Sequence, residues 1–89
     1  MPQSKIKLDW EEVDSSNLDK ITFHQPTETM AVKFKGGALY SYMKVSRDVY
    51  DGMLRAASAG GYLNDVIKKG RYAYTRWNDE TELIEHLSL

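Results

Sequence analysis

The chain has 89 residues, enough for one domain with a modest core, and 28% charged against 42% hydrophobic residues, the balance of a soluble globular chain. It contains no cysteine, which excludes disulfides, thiol catalysis and a cysteine-based zinc site and fits a reducing compartment. The net charge of −1 hides an uneven distribution: residues 31–76 carry +6, while residues 1–30 and 77–89 carry −3 and −4.

Ile6, Leu8 and Trp10 alternate with Lys5, Lys7 and Asp9, which predicts a short strand or an extended arm. Asp14-Ser15-Ser16-Asn17 is a cluster of turn formers. Ile21 and Phe23 alternate with Lys20, Thr22 and His24, predicting a strand that Pro26 ends by removing a ladder donor. Met30, Val32 and Phe34 alternate with Ala31, Lys33 and Lys35, and Leu39, Ser41 and Met43 alternate with Tyr40, Tyr42 and Lys44. Gly36-Gly37 between these runs predicts a two-residue hairpin, since both positions of such a turn need positive φ. That register pairs Phe34 with Leu39 and Lys33 with Tyr40. Val32, Phe34, Leu39 and Met43 then share one face, and Lys33, Lys35, Tyr40, Tyr42 and Lys44 share the other; a slip of one residue buries the tyrosines instead.

Ser46 is the expected cap of a helix carrying Val49, Tyr50, Met53, Leu54 and Ala57 at helical spacing, with Asp48 in its first turn. Gly52 weakens that helix, and Ser58-Ala59-Gly60-Gly61 reads as the turn that stops it. Tyr62, Leu63, Val66 and Ile67 form a second apolar stripe, closed by Lys68 and Lys69 and by Gly70 as the left-handed residue. Arg71 to Trp77 alternates as a last strand. Asn78 is placed to cap a short terminal helix with Leu83, Ile84 and Leu87 as its apolar stripe. The fold class is α+β: an antiparallel sheet with two short helices inserted before the last strand and a short C-terminal helix, the helices on one sheet face.

Those residues resemble the KTSC domain, named for the C-terminus of some lysyl-tRNA synthetases and found also as free-standing small proteins of bacteria and phages. The matching string runs from Val13-Asp14-Ser15-Ser16-Asn17-Leu18 through Met30-x-Val32-x-Phe34 and Gly37-x-x-Tyr40-x-Tyr42-x-x-Val45. It ends with Ala57-Ser58-x-Gly60-x-Tyr62-Leu63-Asn64-x-x-Ile67 and Tyr72-x-Tyr74. It divides the chain into an N-terminal extension (1–12), a KTSC-like domain (13–76) and a C-terminal helical extension (77–89). Leu63 stands where the family usually has an aromatic, and the usual proline near Ser46 is absent. What the resemblance implies for function is RNA binding, through the synthetase association; it carries over no catalytic residue.

Aromatics interleaved with cations suit single-stranded nucleic acid, with planes for bases and charges for phosphates. On that reading Tyr40, Tyr42, Tyr72 and Tyr74 stack while Lys33, Lys35, Lys44, Lys68, Lys69, Arg71 and Arg76 hold phosphates. On the plainer reading the tyrosines pack in the core with wet hydroxyls, and the lysines complement a helix dipole. Ser58-x-Gly60 is either an anion site at a helix N-terminus or a tight connection. Leu83, Ile84 and Leu87 either dock on the sheet or bind a partner, and the acidic terminal helix is placed to shield a basic face. His24 and His86 are the only histidines and nothing in the pattern joins them, so no enzymatic activity, metal or cofactor is expected. The leading expectation is a cytoplasmic, non-catalytic domain that binds RNA or single-stranded nucleic acid and no membrane. The alternative is a phage-type accessory protein binding a host protein or small ligand as a homo-oligomer.

Overall fold

The computed structural model describes residues 8–13 and 15–87, with the Lys68 side chain outside the described set. The start of the predicted N-terminal strand, Asp14 and Leu89 also lie outside it. Five strands form one antiparallel meander in chain order: β1 (Glu11–Glu12), β2 (Leu18–His24), β3 (Thr29–Phe34), β4 (Leu39–Tyr42) and β5 (Tyr74–Trp77). Between β4 and β5 lie α1 (Arg47–Arg55) and α2 (Ala59–Tyr62), the latter running on into a π-helical stretch over Leu63–Lys68. The chain closes with α3 (Glu80–Leu87).

The hairpin between β3 and β4 decides which way the tyrosines point. Lys33 pairs with Leu39, Val32 with Tyr40 and Met30 with Tyr42, one residue away from the register expected of a two-residue turn. The Phe34 carbonyl accepts from the Gly37 N–H, and the Phe34 N–H donates to the Ala38 carbonyl, both at 2.9 Å. Three residues, Lys35 to Gly37, therefore form the loop. Gly37 takes the left-handed position at φ 101°, while Gly36 is outside that region. A two-residue turn of the favoured kind needs positive φ at both positions; a three-residue loop needs it only at the last. The shift corrects the expected faces. Tyr40 and Tyr42 share a face with Val32 and Phe34, and Lys33 lies on the other with Leu39.

Each face has its own cover, so the helices are not all on one side. The first face carries Leu18, Ile21, Met30, Val32 and Tyr42 into a core completed by Val45, Tyr50, Met53, Ala59, Leu63 and Ile67 of the α1–α2 region. A bulge between Leu18 and Lys20 lets Leu18 and Ile21, an odd number of residues apart, point the same way. The second face carries Ala31 and Leu39 under Leu83 and Leu87 of α3, with Leu8, Trp10 and Trp77 at the margin. Burying Leu83 and Leu87, at 0% and 7% exposure, contributes roughly 1.5–3 kcal/mol each.

Local signals explain the helices. The Ser46 hydroxyl accepts from the Val49 N–H at 3.3 Å, the expected cap. Ser58 caps α2 in the same way through the Gly61 N–H at 3.2 Å, so Gly60 and Gly61 lie inside a helical turn and not in a stop, and the Ser58 hydroxyl takes an N–H that the anion reading left for a ligand. Gly60 faces the Ser15 hydroxyl, which a Cβ would approach to 3.2 Å, and that hydroxyl accepts the Leu18 N–H at 3.0 Å. The serine turn and the α2 glycine, distant in sequence, are thereby one packing unit. Gly52, costly to a helix, admits the Tyr62 ring, whose Cζ would stand 2.9 Å from an added Cβ. Asp79 caps the last helix in place of Asn78, its Oδ1 accepting from the Glu82 N–H at 3.0 Å, while the Glu82 carboxylate accepts from the Asn78 N–H.

Candidate ligand cleft

The register that turns Tyr40 and Tyr42 toward the helices leaves them at the margin of the helical layer. Phe34, Ala38, Tyr40, Tyr42, Ile67, Arg71, Tyr72 and Tyr74 line an open cleft of about 610 Å³ there. Its base and wall are aromatic. Phe34 meets Tyr40 edge to face at 5.6 Å, and Tyr74 lies 5.9 Å from Tyr40 and 6.1 Å from Tyr42 at tilts of 45° and 43°. Tyr42 is 5% exposed, whereas Tyr74 on the edge strand is 64% exposed and presents an open ring. Burial, with Tyr40 and Tyr74 beside it, raises the Tyr42 phenol above its ordinary pKa, so it stays protonated and able to donate at neutral pH.

Arg71 is the charged residue of that lining among the described side chains, and its backbone is unusual. Arg71, not Gly70, takes the left-handed conformation, at φ 58°. Gly70 is required for another reason. A Cβ on it would meet the Val66 carbonyl oxygen at 2.7 Å and the Tyr72 ring at 2.8 Å. The π-helical stretch, Gly70 and Arg71 together turn the chain sharply so that Tyr72 folds back on the helix and Arg71 reaches the rim. A left-handed non-glycine residue costs of order 1–3 kcal/mol and persists only where its surroundings impose it.

The structure sorts the expected nucleic-acid residues whose side chains it describes, all but Lys68, into three groups. Tyr40, Tyr42, Tyr72, Tyr74 and Arg71 come together in the cleft. Arg76 pairs with Tyr40 across β4 and β5 and is exposed; Lys35 at the hairpin, Lys44 (φ 57°) and Lys69 are exposed as well, outside the lining. Lys69 stands 3.7 Å from Asp65 in a solvent-exposed pair. Lys33 is removed from the tyrosines altogether. On the opposite face its Nζ donates to Glu80 at 3.1 Å and lies 4.5 Å from the centre of the Trp10 ring. Glu80 also accepts from the Trp10 indole at 3.2 Å. Partial burial pushes the Glu80 carboxyl up, and the Trp10 and Lys33 hydrogen bonds with the Lys33 charge outweigh it, leaving the pKa below its ordinary value. The acidic helix thus covers Lys33 and not the tyrosine face, and of the Leu83, Ile84 and Leu87 stripe Leu83 and Leu87 are buried against the second sheet face while Ile84 is half-buried.

Phe34, Ala38 and Ile67 belong to the cleft although the sequence pattern assigned Phe34 and Ile67 to the core and Ala38 to the hairpin. The alternation of Phe34 with Val32 was the available signal; with the three-residue loop it places Phe34 beside Tyr40. His24 Nδ1 is 2.7 Å from the Thr27 hydroxyl, and His86 packs 5.1 Å from the Trp77 ring.

The architecture and cleft define a small α+β domain with an aromatic recess, bearing Arg71, at the edge of an antiparallel sheet. The chain belongs to the KTSC domain family, whose match spans residues 14–72. Tyr74 and Arg76 lie just beyond that span. An uncharacterised protein of Stutzerimonas stutzeri is 34% identical over 64 residues, which cover 72% of this chain and 90% of that protein. A lysine–tRNA ligase of Nostoc punctiforme is 30% identical over 61 residues, 68% of this chain but 11% of the ligase. The crystal structure of a KTSC domain protein from Yersinia pestis shares the fold, with a TM-score of 0.71 and 22% identity over 80% of this chain and 99% of that one.

Proposed function

We propose that this domain binds single-stranded nucleic acid, RNA in the first instance, by taking an unstacked base into the aromatic cleft with a phosphate at Arg71. The observation that carries the reading is the convergence of Phe34, Tyr40, Tyr42, Tyr72 and Tyr74 on one open recess in which, among the described side chains, Arg71 is the charged one. Single-stranded RNA is recognised by stacking splayed bases on aromatic rings, whereas the stacked bases of a duplex offer no free face. Exposed Lys35, Lys44, Lys69 and Arg76 supply charge for neighbouring phosphates. The similarity to part of a lysine–tRNA ligase, an enzyme that by its name acts on tRNA, supports the same direction. Binding without catalysis is the reading that goes with an aromatic lining, in which the described residues include neither histidine nor carboxylate; a cytoplasmic setting is proposed with it. No helix among the described residues is long and apolar enough to cross a membrane.

The test is fluorescence anisotropy with labelled single-stranded RNA, single-stranded DNA and duplex, titrated at low and moderate salt. Saturable binding to the single strands, weakened by salt and reduced about tenfold or more by Tyr74→Ala, is expected, since a base on an aromatic ring is worth roughly 1–3 kcal/mol. Absence of binding at protein concentrations on the order of tens of micromolar, where non-specific contacts already appear, overturns it.

A further inference from the structure

The cleft has room and charge for one nucleotide. A volume of about 610 Å³ lies inside the range of about 300–1,000 Å³ that a single small ligand fills. Tyr74 contacts Tyr40 and Tyr42 directly at 5.9 and 6.1 Å, and the rings are tilted, so no base slides between them. What is left to a flat heterocycle is the solvent-facing surface of the cluster in the cleft, where Tyr74 is 64% exposed. Charge sets the second limit. Among the described side chains Lys35, Lys44, Lys69 and Arg76 stand outside the lining, and Arg71 lines it in a left-handed conformation just after Gly70, where an added Cβ would meet Val66 and Tyr72. One heterocycle and one anionic group complete such a site; a strand adds to it only contacts beyond the rim.

We propose that the cleft is a single-nucleotide site, in which one base lies against the tyrosines and one phosphate pairs with Arg71. This rests on the nucleic-acid reading above. A free nucleoside monophosphate and one nucleotide of a strand present the same chemistry, so both are tested. Calorimetric titration with adenosine 5′-monophosphate, adenosine and a short oligoadenylate, with competition between them, reads the site. The monophosphate binds and displaces the oligoadenylate, and adenosine binds about tenfold or more weakly for want of the charge-assisted hydrogen bond. Arg71→Gln, which removes the charge and keeps a polar side chain extending as far as the arginine Nε, erases the difference between monophosphate and nucleoside, and Arg71→Lys retains most of it. An oligoadenylate that binds but is not displaced by the monophosphate overturns the single-nucleotide site and leaves the nucleic-acid reading standing. No binding by any of the three overturns both. Equal binding of monophosphate and nucleoside, or a difference untouched by Arg71→Gln, overturns the role of Arg71.

Discussion

Replacing Arg71 with glycine should make the protein more stable while removing its cleft charge. At φ 58° an arginine bears a penalty of about 1–2 kcal/mol that glycine does not. Against this, glycine loosens the unfolded chain and costs about 0.5–1 kcal/mol relative to alanine. Arg71 is exposed and enters no ion pair among the described residues, so truncation of its side chain adds little. The net gain is about 0.5–1 kcal/mol, or about 2–8 °C in Tm for a domain of this size. Arg71→Ala loses the same charge but keeps the strained backbone, so the Gly variant should exceed the Ala variant by about 1 kcal/mol in urea denaturation, while both bind single-stranded RNA equally poorly. An Arg71→Gly protein no more stable than Arg71→Ala would refute the claim that residue 71 is held under strain at the cleft.

Leu83→Ala should cost about 2–5 kcal/mol, because Leu83 is fully buried between α3 and the second sheet face; a loss of unfolding free energy below about 1 kcal/mol in urea denaturation would mean that α3 does not dock there. Gly70→Ala should destabilise the fold by about 1–3 kcal/mol and weaken ligand binding together, since the Val66 carbonyl that meets the new Cβ is backbone and cannot step aside; thermal melts and titration of one sample check both. The Glu80 carboxyl has a lowered pKa in the folded chain, so it binds fewer protons folded than unfolded. Its contribution is therefore present above the ordinary glutamate value of about 4.3 and is lost as pH falls through the folded value. The stability gap between wild type and Glu80→Gln should narrow on acidification over that window, and a gap independent of pH would exclude the Lys33–Glu80–Trp10 contact as its source.

The periodic parts of the fold were legible in the sequence. Alternation located β2, β3, β4 and the core of β5, and Ser46 announced α1. Facing was not legible, because Gly36-Gly37 suits a two-residue and a three-residue loop equally, and the one-residue difference exchanges Lys33 for the tyrosines. Glycine roles were hidden for the same kind of reason. Gly52 and Gly70 are there for close approach by Tyr62 and Tyr72, which only the packed structure brings near. Lys33 reads as a phosphate ligand beside Tyr40 until Glu80, 47 positions away, is seen to hold it on the other face. Of the cleft, the two Tyr-x-Tyr triplets and Arg71 were visible as residues of interest, while their convergence with Phe34 and Ile67 depended on the register and on the left-handed turn after Gly70.

The most direct test is amide chemical-shift mapping of the intact chain titrated with short single-stranded RNA. The account predicts that the perturbed signals cluster on residues 34–42 and 67–76, saturate together, and need about tenfold or more RNA to saturate in Arg71→Gln and Tyr74→Ala, while Lys33, Leu83 and Leu87 stay in place. Perturbations centred on α3 and the Trp10–Trp77 face, or none at saturating RNA, would contradict it.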